Sequence, residues 1–111
     1  AKSDRDADLL AAAIEVIEAN IQDQQLSVST LCSELNMGRT ILAEKIKGLT
    51  GMPPREFIES IKMKHAAQLI KEGNMRVSEV AYHLGFNDPK YFTIRFKKQF
   101  GVSPSQYVTQ S

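Results

Sequence analysis

The sequence predicts an all-α fold of about seven helices, with two copies of a short two-helix unit joined by one long helix. Three observations carry that expectation. A stretch of about thirty residues occurs twice, since Val28-Ser29-Thr30-Leu31-Cys32-Ser33-Glu34-Leu35 answers to Val77-Ser78-Glu79-Val80-Ala81-Tyr82-His83-Leu84. One residue further out of step, Leu42, Ile46, Lys47, Gly51, Pro54 and Phe57 answer to Phe92, Phe96, Lys97, Gly101, Pro104 and Tyr107. Apolar residues recur at three- and four-residue steps, the signature of amphipathic helices, and no segment alternates with period two for long enough to form a strand. A period of roughly fifty residues that appears only twice is too short an array for a solenoid. It suggests one small device held twice at a fixed separation, which suits a ligand that is itself periodic.

The first helix is expected over about 4–21, where Leu9, Leu10, Ala13, Ile14, Ile17 and Ile21 form one stripe. Asp4, Asp6 and Asp8 near its start suit the positive end of the helix dipole. Gln22 to Gln25 breaks it, and Ser27 suits the N-cap of a helix over 28–35 that buries Leu31, Cys32 and Leu35. Asn36 tolerates the left-handed conformation that closes a helix. The next helix, 39–49, turns Leu42, Ile46 and Leu49 inward and ends at Gly51. Pro54 opens a long helix over 54–72 with Phe57, Ile58, Ile61, Ala66, Leu69 and Ile70 as its stripe and Gly73-Asn74 as its stop. The second copy runs over 77–84, turns at Gly85-Phe86-Asn87 and resumes over 89–100, with Asp88 before Pro89 as N-cap and N1. Phe92, Phe96 and Phe100 face inward there, and Ser103-Pro104 opens a last short helix containing Tyr107. The expected organisation is 1–52, a first helix plus the first two-helix unit; 53–73, the joining helix; and 74–111, the second unit plus a closing helix.

With 111 residues, 42% hydrophobic and 24% charged, the chain has the composition of one ordinary globular domain or two very small ones sharing a core. No apolar run approaches the roughly twenty residues of a membrane helix, so no membrane contact is expected. One cysteine cannot form an internal disulfide, and a reducing cytoplasm is the simplest compartment. Starting at Ala1 without an initiator methionine, the chain reads as a piece of a longer protein, although processing gives the same start. The net charge of +1 conceals a division: two basic against seven acidic residues up to position 36, then twelve basic against six acidic residues. A basic region suits phosphate binding through counterion release; a solvated helix surface is the plain alternative.

A helix of about eight residues, a short turn with Gly or Asn and a second helix make up the helix-turn-helix pattern. The first helix braces across a nucleic-acid backbone, while the second lies in the major groove, where base edges display a distinguishable donor and acceptor code. Two such units in register, joined by one long helix, are far more specific than one. Burial of Leu42 and Ile46 turns Thr40, Glu44 and Lys47 outward, with Ala43 at the margin. Burial of Phe92 and Phe96 does the same for Lys90, Ile94 and Lys97, with Thr93 at the margin, and the two sets coincide under a shift of fifty residues. Arg39, Tyr91 and Lys98 flank these faces, and Lys45 and Arg95 sit nearer the buried edge, placed to snorkel toward phosphates.

Val77 to Tyr107 closely resembles the signature of AraC/XylS-type transcription regulators, through Ser78-Glu79-Val80-Ala81, Leu84-Gly85-Phe86, Asp88-Pro89-Lys90-Tyr91-Phe92, Phe96-Lys97-Lys98-Gln99-Phe100-Gly101 and Ser103-Pro104-Ser105-Gln106-Tyr107. The first copy is similar through Lys47, Leu49-Thr50-Gly51 and Pro54-Arg55-Glu56-Phe57-Ile58, so the resemblance covers about residues 8–108. Its second-copy wording looks most like output domains of hybrid two-component sensors and related response regulators. The resemblance implies a non-enzymatic output domain that regulates transcription by binding double-stranded DNA in successive major grooves, about ten base pairs apart, with RNA polymerase as a further partner. Because the copies differ and run head to tail, two unlike boxes are expected rather than a palindrome; any dimerisation would come from parts outside this chain.

Two positions depart from the family pattern, which often has Arg or another polar donor where Glu44 and Ile94 stand. A carboxylate can accept from the cytosine amino group and an isoleucine can pack on a thymine methyl, or either residue can mark a unit that makes mainly backbone contacts. Ala43 offers little beyond close approach. Phosphate contacts are expected from Arg39, Lys45, Lys47, Lys90, Arg95, Lys97 and Lys98, and base reading mainly from Thr40, Glu44, Lys90 and Ile94. Cys32 matches Ala81 and reads as core filler, which argues against a repair enzyme using its thiol. His65 and His83 lack partners at metal-ligand spacing, and no phosphate loop or catalytic triad is present, so no metal or cofactor is expected. A protein-interaction module that keeps the fold without DNA affinity is the alternative, motivated by the acidic first helix.

Overall fold

The computed structural model describes residues 2–110, with side chains described over 5–108. Among the described residues there are seven helices and no strand: α1 (Lys2–Ala19), α2 (Val28–Leu35), α3 (Arg39–Thr50), α4 (Pro54–Glu72), α5 (Val77–His83), α6 (Pro89–Phe100) and α7 (Pro104–Gln110). Helix α1 starts earlier than the apolar stripe required and stops at Ala19, leaving Ile21 in the following turn. The Asp4 side chain lies outside the described residues.

The chain packs as two compact units, the first running to Ile21 and resuming over Leu26–Ile61, the second taking Gln22–Gln25 and the chain from Lys62 onward. In the first unit Ala13 and Ile17 of α1, Leu31 of α2, Leu42 and Ile46 of α3, and Phe57, Ile58 and Ile61 of α4 form one buried cluster with Leu26. Cys32, Leu35 and Leu49, expected inside, are only half-buried. In the second unit the buried apolar residues are Met63, Ala66, Ala67 and Ile70 of α4, Val80 and Ala81 of α5, Leu84 and Phe86 of the turn, Phe92 and Phe96 of α6, and Pro104 of α7. Helix α4 therefore serves both cores, which is why its apolar residues do not gather on one stripe. Lys62, 6% exposed, holds its ammonium 5.3 Å from the Phe86 ring centroid, so a π face covers a charge that burial would otherwise penalise.

The repeat is also a repeat of hydrogen bonds. Ser27 and Arg76 occupy the N-cap positions of α2 and α5, and their N–H groups donate to Thr30 Oγ1 at 3.2 Å and Glu79 Oε1 at 2.7 Å. These side chains three residues into the helix reach back to the cap as in a capping box. The turns then close alike, with Met37 N–H donating to Cys32 O at 3.0 Å and Phe86 N–H to Ala81 O at 2.9 Å. Asn36 takes the left-handed conformation (φ 55°) in the first copy and Gly85 (φ 84°) in the second. Asn87 is the residue that slips the register from 49 to 50, and it lets Asp88 cap α6 by accepting from Lys90 N–H at 2.9 Å. At the same position α3 has Gly38 and no side-chain cap.

Gly85 and Gly101 share a left-handed backbone, φ 84° and 80°, but differ in surroundings. A Cβ on Gly85 would lie 3.2 Å from the backbone carbon and oxygen of Asp23, whereas one on Gly101 would meet nothing within 4 Å. Gly101→Ala is expected to cost about 1–2 kcal/mol from the left-handed conformation alone. Gly85→Ala adds a backbone displacement and is expected to reach about 2–4 kcal/mol. Urea denaturation checks this; equal costs would show that the 22–25 turn gives way freely.

Candidate nucleic-acid interface

Helices α3 and α6 each stand on a brace, and burial along them has the same phase. Leu42 and Ile46 of α3 and Phe92 and Phe96 of α6 are fully buried. Thr40, Glu44 and Lys47 are exposed, as are Lys90, Ile94 and Lys97, while Ala43 and Thr93 are half-buried at the margin of each face. The fifty-residue correspondence drawn from the apolar pattern is thus also a correspondence in solvent exposure.

Within the first unit the flanking cations are engaged. Arg39 donates from Nη2 to Ser29 Oγ at 2.8 Å, hooking the start of α3 to α2. Lys45 Nζ lies 4.0 Å from Asp6 Oδ1, so α1 brings a carboxylate to the edge of α3. Asp6, Glu44, Lys45, Gly48 and Leu49 line a shallow hollow there. Two carboxylates beside Lys45 weaken the positive field along this flank, and Lys47 is left as the exposed cation of the last turn.

The second unit is more cationic. Lys90, Lys97 and Lys98 are exposed on α6, Arg95 is half-buried, and Asp88 at the N-cap is the acid nearest them in sequence. Tyr91 is 39% exposed and rests its ring against Phe86, centroids 6.3 Å apart. Pro89, Lys90, Thr93 and Ile94 line an open, almost wholly apolar hollow on the outward side.

Two exposed side chains were not expected on these surfaces. Ile41 is 55% exposed at the position equivalent to Tyr91, and carrying the fifty-residue register back from Tyr91 would have found it. Tyr82 is also 55% exposed, on α5, whose sequence pattern marks it only as a brace.

Two braced helices, each presenting an outward face in the same register with exposed lysine on it, define a paired helix-turn-helix scaffold. A family model described as "helix-turn-helix domain" matches residues 31–110. The chain belongs to this family, in its AraC-type branch of DNA-binding, transcription-regulating domains. Among curated relatives it is 41% identical over 102 residues to histidine kinase P4 of Formosa agariphila, covering 92% of this chain and 7% of that protein. It spans 28–34% of other curated relatives, which include regulators of Salmonella, Vibrio cholerae and Staphylococcus xylosus. Among solved structures it is similar to the C-terminal domain of AraT, a response regulator from Geobacillus stearothermophilus, with TM-score 0.83 and 27% identity over 93% of this chain and 85% of that one. The DNA-binding domain of AdpA, solved in complex with a target DNA, matches with TM-score 0.78 and 28% identity over 95% of this chain and 90% of that one. Among the described residues no helix is long and apolar enough to cross a membrane.

Proposed function

We propose that the chain binds double-stranded DNA with α3 and α6 in successive major grooves, as the output module of a larger transcription regulator. The observation that carries this reading is the coincidence of two outward faces, 40/43/44/47 and 90/93/94/97, in both sequence register and exposure. In this division residues 1–52 carry the first reader, 53–73 join, and 74–111 carry the second. Arg39, Lys47, Lys90, Arg95, Lys97 and Lys98 contact phosphates, Lys45 does so when it leaves Asp6, and Tyr91 packs beside them. Thr40, Glu44, Lys90 and Ile94 read bases, with Ala43 and Thr93 allowing close approach.

The kinship with a histidine kinase and with a response regulator's C-terminal domain supports placement in a two-component pathway. The kinase name describes a whole protein of which this chain matches 7%, and we assign the chain itself no enzymatic role. The module works in the cytoplasm, contacts RNA polymerase, and leaves dimerisation to other parts of its parent.

Selection of preferred sites from a random duplex pool tests the reading. Two unlike boxes about ten base pairs apart are expected, and Glu44→Ala should change preference in one box while leaving the other intact. A single box or a palindrome would refute the two-groove reading; no enrichment over random duplex would favour an interaction module instead.

A further inference from the structure

We propose that α6 recognises the 5-methyl group of thymine, using the apolar hollow formed by Ile94, Pro89 and Thr93; the inference rests on the DNA-binding reading above. Ile94 is 65% exposed, the most exposed large apolar side chain described. It stands at the centre of the outward face, one turn beyond Lys90, in the register that Glu44 occupies on α3. The surface of the hollow is almost wholly apolar, and Ile94 itself brings neither a donor nor an acceptor to a base edge. In a major groove the thymine methyl is the apolar feature of the base edges, and contact with an aliphatic side chain is the interaction left to such a surface.

Charge names the occupant as duplex DNA. Lys90 forms part of the hollow's own rim, and Lys97 and Lys98 are exposed further along the same helix. An apolar spot with a lysine in its lining, on a helix that carries two more exposed lysines, suits a methyl set among phosphates better than the apolar face of a protein partner. The equivalent positions of α3, Arg39, Thr40, Ala43 and Glu44, carry a guanidinium and a carboxylate. The two copies therefore read opposite chemistries, with a carboxylate acceptor for an amino group on α3 and a methyl contact on α6.

Deoxyuridine keeps every hydrogen-bonding group of thymidine and lacks only the methyl. Starting from a site selected for the 111-residue chain, each thymine is replaced singly by uracil and affinity is measured by fluorescence anisotropy. Wild type should bind about fourfold more weakly for each methyl lost at one or two positions of the α6 box, and equally at every position of the α3 box. Ile94→Ala should bind the thymine site about as weakly as wild type binds the uracil site, and should no longer distinguish the two. Its side chain is exposed, so its thermal melting should match wild type. Equal affinity of wild type for thymine and uracil at every position overturns the methyl contact while leaving DNA binding standing. A thymine preference that survives in Ile94→Ala overturns the assignment to this residue. Absence of binding to any duplex sinks the DNA-binding reading and the inference together.

Discussion

Replacing Phe96 by alanine is expected to cost about 3–5 kcal/mol, a large share of the roughly 5–15 kcal/mol that holds a domain together. The side chain is 0% exposed. Its ring centroid lies 5.9 Å from that of Phe92, 4.6 Å from that of Phe100 and 5.5 Å from that of Tyr107, the last edge-to-face at 82°. Truncation would thus remove burial and three ring pairs at once, and it would leave a void bounded by rigid aromatics that cannot collapse into it. Ile46, its counterpart on α3, is equally buried but branched and smaller, so Ile46→Ala should fall toward the lower end of about 2–5 kcal/mol. Urea denaturation of both, with exposed Ile94→Ala as a control, checks the ranking. A loss below about 1 kcal/mol for Phe96→Ala would mean that the aromatic cluster repacks and that the rigidity assumed for α6 is absent.

DNA binding should be steeply salt-dependent. If the seven cations Arg39, Lys45, Lys47, Lys90, Arg95, Lys97 and Lys98 each neutralise one phosphate, the slope of log affinity against log salt is about −6, and affinity falls about a thousand- to ten-thousandfold between 50 and 200 mM. The structure separates these cations. Lys97 is exposed on the outward face of α6, and its replacement by alanine should flatten the slope by about one. Lys45 is shared with Asp6 at 4.0 Å, so the phosphate must compete with a carboxylate already present, and Lys45→Ala should flatten the slope by less. Titrations at four or more salt concentrations decide it. An unchanged slope for Lys97→Ala removes that residue from the phosphate set.

The phase of burial on α3 and α6 is legible in the sequence because one helix with one buried face obeys a single period, and Leu42, Ile46, Phe92 and Phe96 sit on it. The turn chemistry is legible for the same local reason: Asn36, Gly51, Asp88 and Gly101 act within one helix end. Side chains whose partners are distant in sequence are not. Nothing local says that Asp6 meets Lys45, which needs α1 laid against α3, or that Arg39 reaches Ser29. Ile41 carries no polar group to mark it as a surface residue, although the period turns position 41 toward solvent. Conversely, Leu35 and Leu49 lie on the expected stripes yet are only half-buried, since the period sets direction but not what covers it.

The unbroken α4 decides how relatives of this domain can be spliced. Phe57, Ile58 and Ile61 belong to the first unit and Met63, Ala66 and Ile70 to the second, so a chimaera joined at either loop flanking α4 would give one core a foreign helix. A junction between Ile61 and Lys62, kept in helical phase, would leave each half of α4 with the unit it packs in. The graft would also have to carry residues 22–25, because they pack with the second unit and the Asp23 backbone lies 3.2 Å from where a Cβ on residue 85 would stand.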